Sequence, residues 1–246
     1  MTIEALEKSL KEGKLNDIYL FYGEETYLLE TNVKKIRTLF GEIVKGINYI
    51  EIDDTNVQNL ISDLQTPAFG YAKKLVIVKN TGLFKREVKK KGAGFAELRD
   101  KINVYLKENV EIIKQDNILI FVEESVDKGK MLSTLEEIGA DICNFEYQKM
   151  PNILARLKAI CKAYKVEIDD STLKYFIECV GTSMQDSINE IRKQIEFVGA
   201  NGIITKENID LLSIKQMESV IFDLTDNLGK KNIKEAQIVL KNLIVI

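Results

Sequence analysis

Three short runs of this sequence are apolar almost throughout, and they constrain the fold more than any other feature. They cover residues 18–22, 75–78 and 118–122, and each is rich in Ile, Val, Leu or aromatic side chains. Runs of this length and composition are typical of strands that are buried on both faces of a mostly parallel sheet. The sequence therefore predicts a parallel β-sheet with helices on both faces.

Weaker strand patterns and four helical patterns complete the first half of the chain. The weaker strand patterns cover residues 49–52 and 142–145. The helical patterns cover residues 28–40, 57–64, 95–106 and 130–137. Strands and helices that alternate along a chain are the pattern of βαβ units, so we predict an α/β domain over residues 1–146.

After residue 146 the strand patterns stop and only helical patterns follow. Pro151 suits the first turn of a helix, and apolar residues follow it at helical spacing. Further helices are predicted from about Ser171, around residues 188–198 and over residues 206–212. We predict a small helical domain over residues 147–212 and the first helices of a third domain over 213–246. Because the sequence stops inside an apolar run without a capping residue, we expect a truncated chain.

Composition narrows the classes of function. The net charge is −3, from 35 basic and 38 acidic residues, which argues against a dedicated nucleic-acid binder. Histidine is absent, and the cysteines Cys143, Cys161 and Cys179 are too far apart for the paired ligands of a structural zinc site. No apolar run has the length of a membrane span, and the N-terminus is not a signal peptide. We expect a soluble, cytoplasmic protein without a metal site or catalytic residues.

The turn after the first predicted strand bears on nucleotide binding. A parallel α/β domain followed by a small helical domain is the layout of many nucleotide-driven machines. Their phosphate loop, G-x-x-x-x-G-K-[ST], joins the first strand to its helix. Here that turn contains Gly23, Glu24 and Glu25, so only the first glycine is kept and two carboxylates stand where phosphates would lie. We expect no ATP binding at this turn and no cofactor.

Three acidic pairs are candidates for metal ligands. Glu123-Glu124 ends the run 118–122, where such ATPases hold magnesium. Without the loop lysine we interpret both as exposed carboxylates beside a turn. Asp53-Asp54 and Asp169-Asp170 each stand just before a predicted helix, where helix capping explains them better than metal binding.

The segment Pro67-Ala68-Phe69-Gly70 is a candidate binding element. Pro67 fixes the backbone just before Phe69, Gly70 lets the chain turn away, and the strand 75–78 anchors the segment at its C-terminal end. An aromatic tip held in this way on a sheet edge suits insertion into a pocket of a partner. The alternative is that Phe69 packs against the core of its own domain.

One stretch of the chain is strongly basic. It contains Lys85, Arg86, Lys89, Lys90 and Lys91. Such a stretch is a candidate contact for DNA phosphates. The alternative is a solvated loop between a strand and the helix that starts near residue 95.

Several of these segments together resemble the delta subunit of the bacterial DNA polymerase III clamp loader. The resemblance rests on Tyr22-Gly23-Glu24-Glu25, on residues 64–70 leading into 73–78, on the strand end 121–124 and on residues 181–191. The family implies an AAA+-like fold without ATPase activity, with a helical lid domain and a helical collar domain after the sheet domain. ATP-using relatives carry an arginine in the lid helix where this chain has Gln185.

The resemblance also implies a function. Delta subunits bind the sliding clamp (beta) and open its ring for loading onto primed DNA, as part of a DNA-directed DNA polymerase holoenzyme. By resemblance, the clamp-binding element ends at Ala68-Phe69. The implied partners are the clamp, the motor subunits (gamma/tau), delta-prime and primer-template DNA.

Two alternatives stay open. The chain could be another catalytically inactive scaffold of the loader, of the delta-prime type, although the zinc-binding cysteines and arginine finger common there are not found. It could also be a Rossmann-like enzyme, which would bind a nucleotide tightly.

Overall fold

The structure of the chain is a computed structural model. It describes residues 1–86 and 93–213, together with the six separate positions 225, 228, 229, 233, 237 and 240. The chain divides into two compact units, Met1–Tyr147 and Gln148–Ile246.

The first unit contains a five-stranded parallel sheet. Its strands are β1 (Ile18–Tyr22), β2 (Tyr49–Ile52), β3 (Lys74–Lys79), β4 (Asn117–Glu123) and β5 (Asp141–Asn144). Their order in the sheet is β2-β3-β4-β1-β5, and every neighbouring pair is parallel. The predicted parallel α/β fold is confirmed.

The position of each strand in the sheet explains its sequence pattern. β1, β3 and β4 are the three interior strands, and nearly all their residues are buried. Because helices cover both faces, these strands have no side toward solvent and their apolar runs are continuous. The edge strands β2 and β5 are only partly buried, so their sequence signals are weaker.

In the described residues of this unit, six α-helices accompany the sheet. They are α1 (Ile3–Lys11), α2 (Thr26–Phe40), α3 (Leu60–Gln65), α4 (Ala93–Glu108), α5 (Val110–Asp116) and α6 (Lys130–Glu137). The helix predicted over residues 57–64 is a 3₁₀ turn, Val57–Asn59, followed by the short α3. On one face of the sheet, the core joins buried strand residues to helix residues such as Leu60, Ile102, Leu106 and Leu135.

The described part of the second unit is helical. It contains α7 (Met150–Ala163), α8 (Asp170–Val180), α9 (Met184–Val198) and α10 (Lys206–Leu212). Pro151 lies in the first turn of α7, as predicted. Ser171, predicted as the N-cap of α8, is not the cap. The Asp169 carboxylate caps the helix by accepting hydrogen bonds from the backbone N–H groups of Ser171 and Thr172, which confirms the capping interpretation of Asp169-Asp170.

Some predictions fall on residues that are described only in part. Of the third domain predicted over 213–246, the structure describes residue 213 and the six separate positions, and those six have helical geometry. No helix in the described residues is long and apolar enough to cross a membrane. Within the same residues there is no group of three or more metal-ligating side chains.

Candidate functional site

Phe69 lies in the segment between α3 and β3 and exposes 74% of its surface. The backbone N–H of Tyr71 donates to the carbonyl of Ala68 at 2.9 Å and closes a turn with Phe69 and Gly70 at its centre. Gly70 has a φ of 82°, a conformation that residues with a Cβ rarely adopt. The turn therefore presents Phe69 to solvent, and the alternative that its ring packs against its own core is wrong.

Phe69, the aromatic tip of this turn, is not on a sheet edge, contrary to the interpretation of the sequence. β3 lies between β2 and β4, so the segment that carries Phe69 enters the N-terminal end of an interior strand. An interior strand is hydrogen-bonded on both sides, which fixes its start more firmly than that of an edge strand. The segment that carries Phe69 is thus anchored at its C-terminal end by two neighbouring strands.

A buried lysine holds the helix that precedes the tip. Lys74 is the first residue of β3 and exposes only 2% of its surface. Its ammonium donates hydrogen bonds to the carbonyls of Asp63 and Thr66 at the C-terminal end of α3. A cation is favoured at this end of a helix, where carbonyls lack partners in the helix itself. Burial lowers the pKa of Lys74, and the charges of Asp63 and Asp116 act in the opposite direction.

Other side chains fix the two ends of the segment between α3 and β3, which carries Phe69. The amide of Asn117, which pairs with Lys74 in the sheet, donates to the carbonyl of Leu64 at 3.3 Å. The ammonium of Lys73 lies 2.6 Å from a carboxylate oxygen of Asp17 and also donates to the carbonyl of Lys114. The sequence did not indicate these contacts, because they join residues far apart in the chain.

The turn after β1 is closed against the segment that follows β5. The N–H of Phe145 donates to the carbonyl of Tyr22 at 2.6 Å, and the N–H of Glu25 donates to the carbonyl of Phe145 at 2.9 Å. Gly23 has a φ of 130°, and a Cβ at this position would overlap the carbonyl of Phe145. Glu25 is buried at the N-cap of α2, and Glu24 is exposed. An amide at the start of α2, where a phosphate loop would bind its ligand, therefore faces another part of the protein.

Glu123 is not the exposed carboxylate that the sequence suggested. It is 4% exposed, and its Oε1 accepts hydrogen bonds from the backbone N–H of Thr81 at 3.1 Å, the hydroxyl of Thr81 at 2.8 Å and the N–H of Gly82 at 3.2 Å. Burial raises the pKa of Glu123, although these hydrogen bonds oppose the shift. Glu124 is exposed, as expected. The carboxylate of Glu123 thus holds the segment after β3 in place.

The basic stretch is only partly described. Lys85 and Arg86 lie beside a cleft of about 300 Å³ after β3. Lys89, Lys90 and Lys91 lie outside the described residues. In α9 the amide of Gln185 donates to the side-chain oxygen of Asn189 at 3.1 Å.

Comparisons with known proteins agree with the resemblance in the sequence. Residues 19–147 match the family described as DNA polymerase III, delta subunit. The chain is 24% identical over 237 residues to the DNA polymerase III subunit delta of Bacillus subtilis, which covers 94% of this chain and 67% of that protein. It is 25% identical over 235 residues to a probable DNA polymerase III subunit delta of Aquifex aeolicus, with coverage of 92% and 63%. The chain thus spans about two thirds of the length of these relatives.

A solved structure agrees with the fold. The DNA clamp loader delta protein of Bacillus subtilis superimposes with a TM-score of 0.73 over 98% of this chain and 71% of that chain, at 22% sequence identity. The predicted α/β fold class, a parallel-sheet domain followed by a helical domain, is confirmed. Because the family match covers more than half of the sequence, the chain belongs to the DNA polymerase III delta-subunit family.

Proposed function

We propose that this chain is a clamp-loader delta subunit that binds the sliding clamp of the replicative polymerase and opens its ring for loading onto primed DNA. The clamp-binding element is Pro67, Ala68, Phe69 and Gly70. The observation that carries this proposal is Phe69, an exposed aromatic side chain on a turn whose two ends are fixed by buried contacts. Family membership supports the proposal, since the solved relative is named as a clamp loader protein.

The energetics of the tip favour this function. Burial of a phenylalanine side chain in an apolar pocket contributes roughly 1.5–3 kcal/mol. Lys74 and Asn117 already order the end of α3, so little backbone freedom is lost when the tip binds. Buried aromatic side chains that fill a pocket of the partner are typical anchors of binding hot spots.

Ring opening needs no chemistry from this chain. If the surface around Phe69 fits the clamp better when one interface of the ring is relaxed, binding shifts the clamp toward the open state. We propose that the chain does not hydrolyse ATP, because the turn after β1 is closed by Phe145. Control by ATP then belongs to motor subunits of the gamma/tau type, which we propose as partners with delta-prime and primer-template DNA in the cytoplasm.

Replacement of Phe69 by alanine tests the clamp-binding element. We expect Phe69→Ala to weaken binding to the cognate sliding clamp at least about tenfold, because the buried aromatic surface is lost. Titration calorimetry of the chain against the purified clamp measures the change. Phe197→Ala is the matched control, since Phe197 is also an exposed phenylalanine, 53% accessible, on α9.

The outcomes separate the alternatives. Equal affinity of wild type and Phe69→Ala would mean that this element does not bind the clamp. If the wild-type chain does not bind the clamp, the delta-prime type of scaffold is favoured. A thermal-shift screen with ATP, NAD and S-adenosylmethionine tests the Rossmann-like enzyme, which requires a clear stabilisation by one of them.

Replacement of Lys74 by methionine tests the support of the tip. We expect Lys74→Met to lower the free energy of unfolding by only about 1 kcal/mol, because the loss of hydrogen bonds is partly offset by removal of a buried charge. Clamp affinity should fall severalfold, since the carbonyls of Asp63 and Thr66 lose the donor that fixes them. Lys79→Met, at the other end of β3, removes an exposed ion pair with Glu30 and should change neither quantity. Unchanged clamp affinity in Lys74→Met would show that the buried lysine does not position Phe69.

A further inference from the structure

A cleft of about 570 Å³ lies within the helical unit. One wall is the C-terminal half of α7, with Lys158 and Lys162. The other wall contains residues 165–169, which join α7 to α8, together with Asn201 and Ile203 from the segment between α9 and α10. The cleft is therefore separate from the turn that carries Phe69 and from the turn after β1.

The two segments of the second wall are joined by backbone hydrogen bonds in a short parallel ladder. Glu167 is paired with Ile203. The N–H of Glu167 donates to the carbonyl of Gly202 at 3.0 Å, and the carbonyl of Glu167 accepts from the N–H of Ile204 at 2.9 Å. Residues 165–168 and 201–204 therefore form a two-stranded ladder, although each segment is too short to count as a regular strand.

Side chains alternate across this ladder as they do in a sheet. On one face, the side chains are buried in the helical unit: Val166, Ile168 and Ile204. On the other face, the side chains are exposed and line the cleft: Lys165, Glu167, Asn201 and Ile203. Ile203 exposes 59% of its surface, so an apolar side chain lies open to solvent at the outer segment of the ladder.

The ladder has an open edge at Ile203. Because Glu167 bonds to Gly202 and Ile204, the backbone N–H and carbonyl of the intervening Ile203 point away from Glu167. Neither group makes a hydrogen bond within the described part of the chain. An unpaired N–H and carbonyl beside an exposed apolar side chain form the template on which an extended peptide adds as a further strand.

The charges of the cleft indicate which side chains such a peptide would carry. Lys158 lies 2.7 Å from the carboxylate of Asp170, and the carboxylate of Asp169 caps α8. Lys162 and Lys165 are exposed, and neither is ion-paired among the residues that the structure describes. The two free ammonium groups favour carboxylates on the added strand.

We infer that residues 201–204 bind an extended, acidic segment of a protein partner as an added strand. The backbone of this segment pairs with Ile203, one of its apolar side chains packs against the Ile203 side chain, and its carboxylates face Lys162 and Lys165. A helical ligand would leave the N–H and carbonyl of Ile203 unpaired. A second copy of the chain is a poorer occupant, because pairing of the same edge would bring like charges together. The inference does not depend on clamp binding.

Fluorescence anisotropy with a labelled peptide of alternating aspartate and isoleucine, blocked at both ends, tests this inference. We expect saturable binding, and weaker binding when lysines replace the aspartates. Alternate amides of a strand face opposite sides. Methylation of one alternate set of backbone nitrogens in the peptide should therefore weaken binding about tenfold or more, and methylation of the other set should change it little. Equal effects of the two sets would contradict strand addition.

Variants of the chain locate the binding site. Ile203→Asp should weaken peptide binding about tenfold or more, because the apolar contact is lost and a carboxylate faces the acidic peptide. The matched control is Leu211→Asp, since Leu211 is an exposed aliphatic residue of α10, 69% accessible, that does not line the cleft. Both positions are exposed, so both variants should keep the fold, which thermal unfolding checks.

A second pair of variants tests the charge. Lys162→Glu should weaken peptide binding severalfold, whereas Lys174→Glu, at an exposed position of α8 outside this cleft, should have little effect. No saturable binding by the wild-type chain, or equal losses in Ile203→Asp and Leu211→Asp, would overturn the inference. Self-association of the wild-type chain that Ile203→Asp abolishes in sedimentation experiments would also overturn it, because the edge would then belong to contacts between copies.

Discussion

Gly23→Ala is expected to lower the free energy of unfolding by about 3 kcal/mol or more. A φ of 130° costs a residue with a Cβ of the order of 1–3 kcal/mol. The added Cβ would also overlap the carbonyl of Phe145, which is backbone and cannot rotate away. The ends of β1 and β5 must then separate, which breaks the hydrogen bonds that Phe145 makes with Tyr22 and Glu25, each worth about 0.5–1.5 kcal/mol.

Gly13→Ala provides the matched control. Gly13 also has a positive φ, 74°, but a Cβ there meets nothing within 4 Å, so the loss should be only about 1 kcal/mol. Urea denaturation followed by circular dichroism measures both changes. Equal losses for Gly23→Ala and Gly13→Ala would mean that the turn after β1 is not closed by Phe145.

Gly23 is required for a different reason from the glycines of an ATP-binding loop. In a phosphate loop, glycine lets the backbone approach the phosphates of the ligand. In this chain the same lack of a side chain lets the turn approach the carbonyl of Phe145. Stabilisation of the wild-type chain by Mg-ATP in a thermal-shift experiment would contradict the proposal that the turn binds no nucleotide.

The interior strands of the sheet could be predicted because a strand that is buried on both faces has a continuous run of apolar residues. The apolar runs at 18–22, 75–78 and 118–122 became the three interior strands β1, β3 and β4. The short helix α5, Val110–Asp116, was missed, because it follows α4 after a single residue and its pattern merges with that of α4.

The exposed tip at Phe69 and the contacts that support it differ in how far the sequence could predict them. The tip is local: the types and order of Pro67, Phe69 and Gly70 already favour an exposed turn, and the exposure of Phe69 follows. Its support is not local, because Lys74 is a lysine whose burial depends on carbonyls eight and eleven residues away. Lysines are almost never fully buried, so the sequence pattern gives no reason to expect that this one is.

Glu123 shows how tertiary contacts can reverse an interpretation of the sequence, and its replacement should have a large effect. Glu123→Ala is expected to lower the free energy of unfolding by about 3 kcal/mol, because the N–H groups of Thr81 and Gly82 and the Thr81 hydroxyl lose their acceptor in a buried site. Glu123→Gln should cost less than about 1 kcal/mol, since the close bonds all go to Oε1, which an amide oxygen can replace. Glu124→Ala, at the exposed neighbouring position, should change stability by less than about 0.5 kcal/mol.

The pH dependence of stability tests whether the carboxyl group of Glu123 keeps its proton more strongly in the folded protein than in the unfolded chain. Because burial raises the pKa of Glu123 above its ordinary value of 4.5, the folded protein holds this proton over a pH range in which the unfolded chain releases it. The stabilisation from protonation is therefore complete below pH 4.5 and is lost as the pH rises through the folded pKa. Glu123→Gln has no such proton, so the stability of wild type relative to this variant should fall over that range and then stay constant. A relative stability that rises with pH would mean that the carboxylate is held as an anion, as a cation-binding position requires.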